Sequence, residues 1–167
     1  DTTDGFLLAH GWDEGCENTC DTSKLTNEEK KHFIGKGLHY ILQKIDKQPD
    51  EIFTVYAEVL VSYYTINREL RKKMYWSFKG AEKGSAICMR MLADAYMSGE
   101  GVVQDYIECT KWIFLAGALG DQWSQSWLQE NSSQLTASKL GNPITVEAKK
   151  RANEWMQQHP CAFFSKD

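Results

Sequence analysis

From Thr26 onward, apolar side chains recur at three- and four-residue steps, the spacing that gathers them on one face of an α-helix. Phe33, Gly37, Tyr40, Ile41 and Ile45 predict a first helix. It opens at Thr26, where Glu29 completes a capping box, and ends near Asp46, ahead of Gln48-Pro49. Asp50 suits the N-cap of a second helix that turns Phe53, Tyr56, Ala57, Leu60 and Tyr64 inward. A third is expected from about Asn67 to Lys83, stopped by Gly84. Ala86 to Ser98 follows, carrying Met89, Leu92, Ala93 and Tyr96, and Gly99-Glu100-Gly101-Val102 breaks it, because two glycines allow a tight reversal. Asp105 caps the next, Tyr106 to Leu119, which ends at Gly120. Trp123 to roughly Asn131 reads as a further helix, Ser132 to Asn142 as an expanded loop, and Thr145 to Gln158 as a last helix holding Ala152 and Trp155.

These helices repeat in pairs. Trp76, Gly80-Ala81 and Gly84 return as Trp112, Ala116-Gly117 and Gly120, each 36 residues later. A period of that length belongs to a two-helix unit that stacks into a solenoid. Tyr40 lies 36 before Trp76, while Ala57 and Leu60 precede Ala93 and Tyr96 by the same interval. Trp155 follows Trp112 by 43, a seven-residue excess that a loop must absorb. The expected organisation is an arm over residues 1–25, largely irregular, an all-α array over 26–159 and a tail over 160–167.

The run from Ala86 to Gly120 contains Leu92-Ala93, Ala95-Tyr96, Gly99, Gly101-Val102, Asp105-Tyr106, Lys111-Trp112, Ala116-Gly117 and Gly120-Asp121, and it resembles the Sel1-like repeat. Ala93, Cys109 and Gly117 depart from the family pattern but keep small side chains where helices meet. The unit from Val55 to Gly84 lacks the G-x-G-V corner and has Tyr63-Tyr64-Thr65-Ile66 in its place. The resemblance implies a right-handed α/α superhelix of about three Sel1-like helix pairs, related to tetratricopeptide repeats, with a capping C-terminal helix. It also implies a bacterial adaptor or scaffold that binds a peptide or protein segment. The alternative it raises is an exported cysteine-containing hydrolase, β-lactamase-like or cell-wall-active. The cysteine pairs, eight residues apart, that staple each repeat of those proteins are absent here.

At 167 residues and 42% hydrophobic, the chain is long enough for one sizeable core. Its formal charge of −4 resides in the arm, where Asp1, Asp4, Asp13, Glu14, Glu17 and Asp21 face Lys24 alone. The remainder is near neutral and has no basic stripe, which argues against nucleic acid as a partner. No run of eighteen apolar residues exists, so no membrane-spanning helix is expected. The opening Asp1-Thr2-Thr3 fits either a removed signal peptide or a trimmed chain, with the periplasm or secretion favoured over the cytoplasm. Of five cysteines, Cys16 and Cys20 admit three readings: thiols in a mobile arm, a local disulfide, or zinc ligands together with His10 or His32. Cys88 and Cys109 take small-residue positions and are expected as buried thiols, a cross-helix disulfide being the alternative.

No catalytic motif stands out: G-x-S-x-G, H-E-x-x-H and Walker sequences are absent, and Gly99-Glu100-Gly101 lacks the preceding strand and third glycine of a nucleotide loop. The chain is therefore read as non-catalytic, with no cofactor and no metal. If the first helix of each pair lines the concave side, Arg90, Asp94 and Met97 form a partner-binding edge. Thr54, Glu58 and Val61 extend it on one side, Ser126 and Glu130 on the other. Trp76, Trp112 and Trp155 hold the structural aromatic position of the repeat, whereas Trp12 and Trp123 are free to contact a partner or a second copy. The arm could itself be a ligand, since Phe6-Leu7-Leu8 and Trp12 supply apolar anchors. Asn131-Ser132-Ser133 fits a glycosylation acceptor.

Overall fold

The computed structural model describes residues 26–131 and 142–163. The arm, with Trp12, Cys16 and Cys20, and the expected loop apart from Asn142 lie outside the described residues. Among the described residues the chain is all-helical. In chain order it forms α1 (Asn27–Lys44), a 3₁₀ turn (Ile45–Lys47), α2 (Asp50–Ile66), α3 (Leu70–Glu82), α4 (Ala86–Ser98), α5 (Tyr106–Ala118), α6 (Gln122–Glu130), α7 (Pro143–Gln158) and α8 (Pro160–Phe163).

The helix ends follow from local chemistry. Ser85, Asp105, Asp121 and Asn142 each accept hydrogen bonds from backbone N–H groups of the turn they open, satisfying donors that a helix start leaves free. Gly99 and Gly101 carry φ of 75° and 79°, so the corner between α4 and α5 uses the left-handed region that glycine enters without strain. Two expectations are corrected. Asp50 is the first residue of α2 and not its cap; Pro49 stands at the cap, and the Asp50 carboxylate pairs with Lys83 Nζ at 2.9 Å. The third helix starts at Leu70, later than expected. Without a glycine corner α2 runs on to Ile66, and the reversal falls on Asn67 to Glu69, with Arg68 at φ 57°.

Each helix from α2 to α5 packs against the next, and α5 packs again on α7. α1 joins them through the 3₁₀ turn and through Ile34, Leu38, Ile41 and Ile45. The buried residues form two clusters that meet at α4. Cys88 belongs to the first, with Phe53, Ala57, Leu60 and Tyr64; its neighbour Met89 belongs to the second, with Leu92, Trp112, Leu115 and Ala152. Fully burying a side chain such as Leu92 stabilises by about 1.5–3 kcal/mol.

Two of the periodic tryptophans, Trp112 and Trp155, meet in space, while Trp76 packs on the first cluster beside Phe53. Trp112 is 2% exposed, its ring centroid 6.0 Å from Phe78 of α3 and 5.4 Å from Trp155 of α7. Trp155 stacks on His159 at 4.0 Å and takes the edge of Phe163 at 5.8 Å. The tail thus begins as the short helix α8, which folds back on the array: the Ala162 carbonyl sits 2.7 Å from where a Cβ on Gly84 would stand.

Close helix approach is tightest at Gly80. A Cβ there would stand 2.4 Å from Cys88 Sγ and 3.1 Å from Ala57 Cβ, so three successive helices converge on a missing side chain. Gly80→Ala is expected to lower unfolding free energy by about 1–3 kcal/mol through overpacking, outweighing the better helix propensity of alanine. Combined with Cys88→Ala, which removes the nearest atom, the loss in urea titrations should be smaller than the sum of the single losses.

Candidate functional site

The N-cap positions of α2, α4 and α6 are Pro49, Ser85 and Asp121, spaced 36 apart. Counting from them, residues at i, i+3 and i+7 share one helix face: Glu51, Thr54 and Glu58 on α2, Ile87, Arg90 and Asp94 on α4, Trp123, Ser126 and Glu130 on α6. Of the predicted edge, Thr54, Glu58, Arg90, Asp94, Ser126 and Glu130 fall on this strip by helical spacing.

Part of the strip holds the array together. The Ser85 hydroxyl donates to Glu58 Oε1 at 2.6 Å while its oxygen accepts from the Cys88 N–H at 3.1 Å. One repeat later, Asp121 accepts from the Ser124 N–H at 2.8 Å and the Ser124 hydroxyl at 2.7 Å, and its other oxygen lies 3.5 Å from Arg90 Nε. Twice, then, a polar side chain on one first helix reaches the cap of the next. Arg90 Nε is buried and at this distance forms an ion pair without a hydrogen bond. Thr54 is half-buried and turns its hydroxyl to the Glu51 carbonyl at 2.8 Å.

Asp94 is the strip's electrostatic centre. Burial pushes its carboxyl above the ordinary carboxylate range; Arg90 and Lys73 pull it back, and Asp121 raises it further. Lys73 itself is 5% exposed and pairs with Glu100 of the glycine corner at 2.8 Å, so its charge is fixed behind Asp94. The ionised form of Asp94 is thus less favoured folded than unfolded.

Around these charges stand large apolar side chains in the open. Ile87 and Trp123 are 41% and 44% exposed at the same station of successive first helices. Ser126 and Glu130 are exposed, and Met97 is half-buried against the second cluster. Val61 does not line the edge: at 2% exposure it belongs to the first cluster with Leu60 and Tyr64, because α2 continues as helix where a corner was expected and its last turns stay packed. Ile87 was missed by the sequence reading, although it precedes Trp123 by 36 and signals the same position.

The chemistry of the remaining groups is quiet. Cys88 and Cys109 are free and buried, and burial pushes their thiols up to about 12 and about 11, leaving them neutral and poorly nucleophilic near pH 7. Asn131 donates its side-chain amide to the Trp127 carbonyl at 2.8 Å, and Ser132 and Ser133 lie outside the described residues. Among the described residues, no group of three or more His, Cys, Asp or Glu is placed to hold a metal ion, and no helix is long and apolar enough to cross a membrane. Compared with protein-family models, curated proteins and solved structures, the chain matches none of them.

Removing the cap should outweigh removing its ion partner. Asp121→Ala is expected to cost about 1–2 kcal/mol and Arg90→Ala no more than about 1 kcal/mol in denaturant unfolding. For Asp94 the sign follows from its raised pKa: the stability tied to its proton is present at low pH and lost as pH rises through the folded value. Asp94→Asn should therefore raise the melting temperature at pH 7 by about 1–2 °C, and a melting series should show this advantage fading as the pH falls below the carboxylate range.

Proposed function

We propose that the chain is a non-catalytic interaction module, a right-handed α/α superhelix of about three Sel1-like helix pairs that holds a peptide or protein segment along its first-helix strip. The observation that carries this reading is the pair Ile87 and Trp123, open to solvent at equivalent stations beside the half-buried Arg90 and Asp94. Repetition matters here, since exposed apolar side chains scattered singly are ordinary. Large apolar groups recurring at one station of a polar strip supply spaced anchor points, and aromatic residues with arginine dominate binding energy at such surfaces.

The acids of the strip define the partner further. Glu58, Asp94 and Glu130 recur at intervals of 36, and Ser85 already engages Glu58. Asp94 and Glu130 therefore remain to answer a basic residue on the segment, with its apolar neighbours resting on Ile87 and Trp123. A cationic group brought against Asp94 would restore the ionised carboxylate that burial disfavours, so binding would relieve a cost already present in the free protein.

The reading is tested by selecting from a random displayed-peptide library on the full chain. Enriched peptides should place Lys or Arg beside a large apolar residue. The double variant Asp94→Asn with Trp123→Ala should bind them at least about tenfold more weakly, about 1.4 kcal/mol, with helicity preserved and a melting temperature no lower than that of the parent. Arg90 is left intact because its pairing with Asp121 is structural. No enrichment, or equal binding by the double variant, overturns the assignment.

A further inference from the structure

The reversal between α2 and α3 and the glycine corner between α4 and α5 lie side by side on one rim of the array. A Cβ on Gly101 would stand 3.3 Å from Met74 Cγ and 3.4 Å from Leu70 Cβ, and Glu100 pairs with Lys73 at 2.8 Å. The corner therefore rests on the first turn of α3, beside the Asn67–Glu69 reversal. On this rim stand the two most exposed large apolar side chains of the described residues, Val103 at 87% and Ile66 at 72%. Tyr106, more than half exposed, joins them, and its hydroxyl accepts from the Gln104 side-chain amide at 3.1 Å.

The acids of the rim are each engaged. Glu69 pairs with Lys72 at 2.6 Å, Glu100 with Lys73, and Asp105 caps α5. Arg68 and Arg71 are exposed and, among the described residues, have no ion pair. Arg68 also occupies a place that is costly for an arginine: at φ 57° it is the one non-glycine residue in the left-handed region among the described residues. Glycine would make the same reversal without that cost, so the turn itself does not account for the cation.

Aliphatic side chains on protruding tips with arginines beside them suit a particular kind of surface. A folded partner would need a separate pocket for each tip, whereas a fluid bilayer closes around whatever protrudes, and its phosphates pair with guanidinium groups. Tyrosine suits the head-group level of such a surface, because its ring is apolar and its hydroxyl polar. The chain as a whole carries −4, so attraction of the entire molecule to an anionic surface is not available. Selectivity for anionic lipid would have to come from this rim.

We propose that the rim is a peripheral contact for an anionic phospholipid bilayer: Ile66 and Val103 enter the interface, Tyr106 lies at head-group level, and Arg68 and Arg71 meet lipid phosphates. Ile87 and Trp123 lie elsewhere, in the opening turns of α4 and α6, so the contact stands or falls independently of peptide capture by the strip.

Flotation of the full chain with vesicles tests this. Vesicles of phosphatidylcholine with phosphatidylglycerol should carry the protein at low ionic strength, vesicles of phosphatidylcholine alone should not, and added salt should release it. Each arginine is expected to contribute about fivefold to binding. Arg68→Gly with Arg71→Gln should therefore weaken it by about tenfold or more, with the melting temperature held because glycine accepts φ 57°. With Val103 replaced by photoreactive p-benzoylphenylalanine, irradiation on the anionic vesicles should join position 103 to acyl chains, and free glycerol phosphate in excess should not prevent it. No flotation, equal flotation with neutral vesicles, binding that the arginine variant retains, no cross-link to lipid, or capture of polyglutamate in place of vesicles overturns the proposal.

Discussion

The packing of this chain depends on how closely its helices can approach where α2, α3 and α4 converge. At that crossing Ala57, Gly80 and Cys88 meet, and the space a single extra carbon would occupy is already filled by the Cys88 sulfur. Interiors are packed to crystal density, so such a contact fixes the relative placement of the helices on either side of it. One residue along α4, Met89 faces the other cluster, which means that the helix seated by Cys88 also sets the floor for Trp112, Leu115 and Ala152. A displacement at Gly80 would therefore be transmitted to both halves of the core.

The polar links between successive first helices act on the same geometry from the surface. Ser85 joins Glu58 to the start of α4, and Asp121 joins Arg90 to the start of α6. Each link uses a cap, which a helix needs in any case, to fix the neighbouring helix as well. The strip thus has two kinds of members. Glu58 and Arg90 are committed to packing, while Ile87, Trp123 and Glu130 make little contribution to it and remain open. Asp94 stands between them: burial disfavours its charge more than Arg90 and Lys73 favour it, and Asp121 adds to the cost.

Most of the helical layout was legible in the sequence because its signals are local. The Ala86–Ser98 helix was placed to the residue, with its stop at Gly99, and Asp105 and Gly120 bracket α5. Reading failed where a tertiary contact decided the outcome. Asp50 looks like a cap, but its carboxylate is drawn to Lys83, 33 residues away, and Pro49 takes the position. The reversal at Asn67–Glu69 carries no glycine, so nothing local announced that α2 would persist to Ile66 and keep Val61 inside. The strip was legible as a spacing, whereas its division into packing and open residues was not, because a side chain's partner across a helix boundary leaves no trace in one-dimensional order.

The two reversals differ in how their backbone is accommodated. Gly99 and Gly101 adopt positive φ without cost, so the corner between α4 and α5 can be tight and Glu100 can be presented to Lys73 of the preceding unit. The earlier reversal forces Arg68 to φ 57°, which a side chain with a Cβ tolerates at some expense. What offsets that expense is the longer α2, whose added turn brings Tyr64 into the first cluster. The first unit consequently has a larger buried face and no glycine corner. With Pro49 at its cap it also lacks the side-chain oxygen through which Ser85 and Asp121 reach back to a preceding first helix. α1 is attached through the 3₁₀ turn and through the apolar contacts of Ile34, Leu38, Ile41 and Ile45 with the first cluster.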